Sequence, residues 1–226
     1  EAALSRLSGT RRGIVGVNIG ANKDSEDRIA DYAHGIRTMT PVADYLTVNI
    51  SSPNTPGLRS LQGGDALDHL LDAVVAARPA GGPPIFLKVA PDLEPAEIDA
   101  IVKTAMGRVD ALIVSNTTLS RAGLRSKQAQ ETGGLSGAPL RDLALQRLRD
   151  FRVASGGGMP LIAAGGVASA EEAWARFRAG ASLVQLYSAL VYEGPGLARR
   201  IVRGLPSLMA RDGFATLEDA IGTETR

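Results

Sequence analysis

The 226-residue chain carries 25 Lys+Arg against 24 Asp+Glu, a formal net charge of +1, with 44% hydrophobic and 22% charged residues. That balance fits an ordinary globular domain and gives no basic face for nucleic acid and no acidic tail. The absence of cysteine excludes disulfide scaffolds, thiol nucleophiles and thiolate metal sites, and with only His34 and His69 as histidines no metal site is expected.

Taken in order, residues 1–7 read as a short helix, followed by Arg11-Arg12-Gly13. Glu1-Ala2-Ala3 lacks the charged and apolar regions of a signal peptide, and no apolar run reaches the ~18 residues of a membrane span. Short runs of near-continuous apolar character follow at residues 14–19, 45–50, 85–89, 111–114, 160–164 and 183–186. A strand buried on both faces, as in a parallel sheet, has this character. Helical periodicity lies between them. Residues 66–77 place Leu67, Leu70, Leu71, Val74 and Val75 at helix spacing, and residues 94–104 open on Pro95 and carry Ile98, Ile101 and Val102. Residues 169–179 begin with Ser169 and Glu172 in a capping-box pattern, and residues 197–209 form another helix.

The alternation predicts an α/β protein with parallel strands, either a doubly wound sheet or a (β/α)8 TIM barrel. Polar or glycine residues close every run: Asn18, Asn49, Lys88, Asn116, Gly165-Gly166 and Tyr187-Ser188. A doubly wound sheet concentrates its ligand groups at one switch point, whereas a barrel gathers all strand ends at one mouth. The barrel is therefore the expected fold, with residues 1–226 supplying six of its eight βα units as one domain. The first strands are expected to lie upstream, since six strands alone leave two open edges.

The densest polar segment is Asn49-Ile50-Ser51-Ser52-Pro53-Asn54-Thr55-Pro56-Gly57-Leu58-Arg59. Its prolines restrict the turn and hold the hydroxyls and amides around them, although a plain strand-to-helix loop has the same composition. Lys88 ends an apolar run, where burial lowers a lysine pKa unless an anion such as Asp92 is near. A Schiff-base lysine of a flavin-free aldolase is one functional reading of it. Gly137, Gly166, Tyr187 and Ser188 fall around the last strands, where barrels bind phosphate through backbone N–H groups. Arg121, Arg125 and Lys127 belong to a candidate lid or a surface loop. Trp174 and Phe177 read as packing, and His34, His69, Arg199, Arg200 and Arg203 as surface.

The 49–59 segment resembles the active-site loop of the class 2, quinone-linked dihydroorotate dehydrogenases. The blocks Gly16-Val17-Asn18-Ile19-Gly20, Lys88-Val89-Ala90-Pro91-Asp92, Ser115-Asn116-Thr117-Thr118, Thr132-Gly133-Gly134-Leu135-Ser136-Gly137, Ala164-Gly165-Gly166-Val167 and residues 180–188 are similar to that family's, in its order. The resemblance implies oxidation of dihydroorotate to orotate in pyrimidine biosynthesis, with hydride transfer to FMN and electron transfer to a membrane quinone. It implies Ser52 as the catalytic base, where soluble class 1 enzymes carry a cysteine; because a serine hydroxyl pKa lies far above neutrality, the proton is expected to leave along a water or hydroxyl chain, for which Thr55 is a candidate relay. It places Asn18, Asn49, Lys88, Ser115, Gly137, Gly166, Tyr187 and Ser188 against FMN, and Asn49, Asn54, Asn116 and Thr117 against the substrate. Ser115 departs from the family's frequent threonine but keeps the hydroxyl. The family's N-terminal membrane-associating helices are not visible, so the chain is expected to be the C-terminal part of a peripheral protein of the cytoplasmic face of the cell membrane. A class 1-like FMN barrel using fumarate or NAD, and the Lys88 aldolase, are the alternatives.

Overall fold

The computed structural model describes Ser5, Leu7 and residues 13–225. The helix expected over residues 1–7 lies largely outside the described residues.

Six strands form one sheet: β1 Gly16–Ile19, β2 Tyr45–Asn49, β3 Ile85–Val89, β4 Ala111–Val114, β5 Leu161–Ala164 and β6 Ala181–Gln185. All neighbouring pairs are parallel, and the spatial order is the chain order, β1-β2-β3-β4-β5-β6. A doubly wound sheet reverses its order at a switch point, whereas consecutive order is the winding of a barrel. The fold is a (β/α)8-type TIM barrel over six consecutive βα units. The sixth strand begins two residues before the predicted 183, because Ala181 joins the ladder beside Leu161 ahead of a register shift.

Helices return the chain between strands, α1 Arg28–Met39, α2 Gly64–Ala77, α3 Pro95–Ala105, α4 Arg141–Ala154 and α5 Ala170–Arg178, and three more follow β6: α6 Ser188–Glu193, α7 Leu197–Asp212 and α8 Leu217–Ala220. Helix α1 starts at Asp27, whose carboxylate accepts from the Ala30 N–H at 2.9 Å. It lies close on β1, because a Cβ at Gly35 would stand 2.6 Å from Ile19 Cγ2. Pro95 sits in the first turn of α3, as predicted, behind a Glu94–Glu97 capping box. Ser169 caps α5 by accepting from the Glu172 N–H at 3.1 Å. The reciprocal bond runs one residue earlier than the box pattern predicts: the Glu172 carboxylate takes the Ala168 N–H at 2.6 Å.

The main core fills the space between the outer sheet face and the helices, with Leu46, Val48, Leu87, Val89, Leu112 and Leu161 facing Leu70, Val74, Ile101 and Phe151. A smaller cluster joins Trp174 and Phe177 of α5 to Leu197, Ile201 and Leu208 of α7. The inner face of the sheet holds a third, made by Ala111, Ile113, Ile162 and Ala164 against Phe86, which stacks on Tyr45 at 5.0 Å. Beyond this inner cluster, Leu183 is 57% exposed. Among the described residues no helix is long and apolar enough to cross a membrane.

Candidate active site

Because all six strands run the same way, their C-terminal ends share one rim. A cavity of about 720 Å³ opens there, lined from the ends of β3, β4, β5 and β6. That volume suits a cofactor-sized ligand. Six of the predicted flavin contacts line it: Lys88, Ser115, Gly137, Gly166, Tyr187 and Ser188. So do Asn116 and Thr117 from the predicted substrate set. Gln185 and Ser136 line it too, and were not singled out in the sequence. Gln185 was read as part of a buried strand, and its place one step before the Leu186-Tyr187-Ser188 turn is the signal that marks it.

The wall nearest β5 and β6 is built from backbone. Gly137 (φ +76°) approaches Ser188, whose hydroxyl donates to Ser136 Oγ at 2.8 Å. Gly166 (φ +68°) lies flush on the start of α4, so that a Cβ there would meet Arg141 Cα at 2.4 Å. Beneath the glycine pair the Arg176 guanidinium, 1% exposed, donates to the Gly165 carbonyl at 3.1 Å and the Arg141 carbonyl at 2.7 Å. It thereby pins the end of β5 to the head of α4, and burial draws its pKa down to about 10. The N–H groups of Gly166, Tyr187 and Ser188 have no acceptor among the described residues. Unpaired backbone donors lining one cavity can take a phosphate, so the residues fit the phosphate end of a flavin mononucleotide.

Lys88 projects from β3 on the inner face, between Asn49 of β2 and Ile113 of β4. Asp92 does not pair with it; that carboxylate is taken by Arg59 at 2.8 Å. Burial alone pushes the Lys88 pKa below the ordinary lysine value. The unfolded chain therefore holds this proton more tightly than the folded one. The cost is present while the buried amine is protonated and fades as pH rises through its lowered pKa towards the ordinary lysine range. Lys88→Met is expected to raise the thermal midpoint of the ligand-free protein at pH 7 by roughly 2–4 °C for each ~1 kcal/mol of burial cost removed. The gain shrinks towards pH 10, and melts at the two pH values check it; a lower midpoint at pH 7 contradicts it.

The far side of the rim carries the loop after β2. Ser51 is fully buried. Its hydroxyl donates to Asn49 Oδ1 at 2.9 Å and accepts from Asn116 Nδ2 at 3.0 Å. Asn116 also donates to Asn49 Oδ1 at 3.2 Å and takes the Thr117 N–H at 2.8 Å. The Asn49 amide oxygen is thus occupied and its NH2 is the group it can offer a ligand. Asn116 has little left beyond one lone pair. Ser52 accepts from the Asn54 N–H at 3.3 Å and commits its own proton to no acceptor among the described residues. Asn54 is exposed, with its Oδ1 beside Gly133, and Thr117 packs on Gly134. The loops after β2 and β4 therefore meet face to face. Asn18 stands apart: it is exposed on the edge strand β1, outside the cavity. Asn49, Ser52 and Asn54 sit at the rim beside the cavity rather than in its lining. Thr55 makes no hydrogen bond to Ser52. Arg121 closes its own loop by donating to the Glu131 and Gly133 carbonyls, while Arg125 and Lys127 are exposed.

Residues 2–209 match the family model described as dihydroorotate dehydrogenase. The chain is 66% identical over 98% of its length to the dihydroorotate dehydrogenase (quinone) of Sphingopyxis alaskensis, and 61% identical over 97% to that of Erythrobacter litoralis. It spans 64% of the length of both relatives. Among solved structures it is similar to the dihydroorotate dehydrogenase of Eimeria tenella in complex with ferulenol, with a TM-score of 0.89 and 37% identity over 94% of this chain and 62% of that one.

Proposed function

The chain belongs to the dihydroorotate dehydrogenase family, and from that membership we propose that it forms the flavin and substrate site of an enzyme oxidising dihydroorotate to orotate with a quinone as final acceptor. The reaction removes a proton from C5 and a hydride from C6 and leaves the C5–C6 double bond of orotate. FMN, when bound, supplies the hydride acceptor and passes the electron pair to the quinone.

The protein's own contribution divides along the rim. Gly166, Tyr187 and Ser188 hold the phosphate through backbone N–H groups, and Gly137 lets the facing loop approach. Lys88 places a positive charge on the inner face, where it would stabilise negative charge on a flavin held in the cavity. Ser115 offers a hydroxyl at the end of β4, and Asn18 and Asn49 offer amides to the ring's polar edge. Asn49, Asn54 and Thr117 take the substrate's carboxylate and ring oxygens, with Asn116 holding their loops in register. Ser52 Oγ receives the C5 proton while its own hydroxyl proton moves on through a hydrogen-bonded chain towards water. Membrane contact at the cytoplasmic face, where a membrane quinone is met, belongs to the same proposal.

The observation that carries the reading is the juxtaposition of the Lys88–glycine cavity with the Ser51–Ser52 loop on one rim. A visible spectrum of the enzyme containing this chain tests it. The protein should be yellow, bleach when dihydroorotate is added without oxygen, and recover its colour with a quinone. Recovery with fumarate or NAD instead would favour a class 1-like enzyme. Failure to take up FMN would overturn the reading.

A further inference from the structure

One side chain behind the rim touches three of its loops. Arg59 lies in the 3-10 helix Leu58–Gln62, entered through Gly57 in the left-handed region (φ +68°). That short helix is docked on the end of β3, where the buried Gln62 accepts the Ala90 N–H at 2.7 Å. From this base the guanidinium reaches outwards in three directions. Nε donates to the Ser51 carbonyl at 3.1 Å, one terminal nitrogen donates to Asp92 Oδ2 at 2.8 Å, and the other donates to the Thr117 carbonyl at 2.9 Å. Asp92 in turn accepts from the Leu119 N–H at 3.0 Å and from the Thr118 hydroxyl.

The consequences are geometric. A peptide unit is planar, so a grip on the Ser51 carbonyl orients the unit that leads into Ser52. The grip on Thr117 O does the same for the unit between Thr117 and Thr118. The loops after β2, β3 and β4 are thereby joined through one planar, five-donor group. No other cation type supplies that fork. The Arg59–Asp92 pair is largely shielded from water, at 20% and 26% side-chain exposure, so its bonds are charge-assisted and hold their angles.

Resting on the activity proposed above, we propose that Arg59, braced by Asp92, is a positioning residue that sets Ser52 and Thr117 at their reacting distance from the substrate. It touches neither flavin nor substrate. It acts on the proton-abstraction step through the peptide planes it holds, and misplacement of a reacting group by about 1 Å costs on the order of 10²-fold in rate.

The experiment uses the FMN-loaded, full-length enzyme containing this chain, with Arg59→Met, Arg59→Lys, Asp92→Asn and the Arg59→Met/Asp92→Asn double variant. Anaerobic bleaching by dihydroorotate is followed by stopped flow, with and without deuterium at C5, beside flavin content, thermal midpoint and the rate of reoxidation by quinone. Arg59→Met should slow bleaching roughly 10- to 100-fold and raise the C5 isotope effect, while flavin content and quinone reoxidation stay within about twofold. Arg59→Lys should recover part of the rate, and the double variant should be no slower than Arg59→Met, because the two groups act as one device. Should Arg59→Met not fold, Arg59→Lys and Asp92→Asn must still show slower bleaching with a raised isotope effect. Bleaching at the wild-type rate, or a loss that only follows lost flavin with an unaltered isotope effect, overturns the positioning role. A wild-type enzyme that dihydroorotate does not bleach overturns the activity itself, a result separable from both.

Discussion

Ser52→Ala is expected to keep the yellow flavin and to slow its bleaching by dihydroorotate by about 10²- to 10⁴-fold, the usual worth of a general base. The two adjacent serines are not equivalent. Ser51 is buried, and its hydroxyl both donates to Asn49 and accepts from Asn116. Ser51→Ala should therefore loosen the loop and weaken orotate binding as well as slow turnover. Among the described residues Ser52 accepts only the Asn54 N–H, so its loss removes one weak turn contact and leaves the neighbouring loops in place. The discriminating measurement is the bleaching rate at saturating dihydroorotate, taken with the orotate dissociation constant. Rapid bleaching by the Ser52→Ala enzyme would take the base role away from it.

The second large effect is expected at Gly166. Its φ of +68° is a region L side chains rarely occupy, and a Cβ would stand 2.4 Å from Arg141 Cα and 2.7 Å from Arg141 N. Both obstacles are backbone, so no rotamer change relieves them. Left-handed strain of ~1–3 kcal/mol and overpacking of ~1–3 kcal/mol add in Gly166→Ala. A destabilisation of about 3 kcal/mol or more and near-complete loss of FMN on gel filtration are the expected results. Gly137→Ala is the control. Its Cβ would meet Ser188 Cβ at an ordinary 3.6 Å, so only the strain of its φ remains and flavin should be retained better. Comparison with riboflavin, which lacks the phosphate, locates the defect: a Gly166→Ala protein that holds FMN fully would place the phosphate elsewhere.

The legible part of this molecule was the part governed by burial. β3 and β4 match residues 85–89 and 111–114 end to end, because a strand covered on both faces must be apolar throughout. Four helices were not read, the short α6 and α8 and the longer α1 and α4. In α4, six of fourteen residues are charged, and the buried stripe is only Ala144, Leu148 and Phe151. In α1, Ala33 and Gly35 weaken a stripe whose buried anchors are Tyr32, Ile36 and Met39. Their tight fit against the sheet asks for small residues rather than strongly apolar ones. The glycine cup was readable because close approach of backbone leaves a mark in residue type. Arg59 was quoted only as the end of a motif, since its partners Asp92 and Thr117 are 33 and 58 residues away and nothing local distinguishes it. Asn116 was read as a ligand-facing amide, yet most of its bonding capacity is spent on Asn49, Ser51 and Thr117, a division visible only once the loops are folded together.

The outermost strands carry a different consequence. β1 and β6 pair only inwards among the described residues, so each presents a row of backbone groups on its outer side, and the two rows differ. A copy of this chain that meets another through β6 against β1 makes a heterologous contact, which closes into a ring where its rotation permits and runs on where it does not. Expressed without a covering for these sides, the polypeptide carries two strand edges open to pairing with another chain.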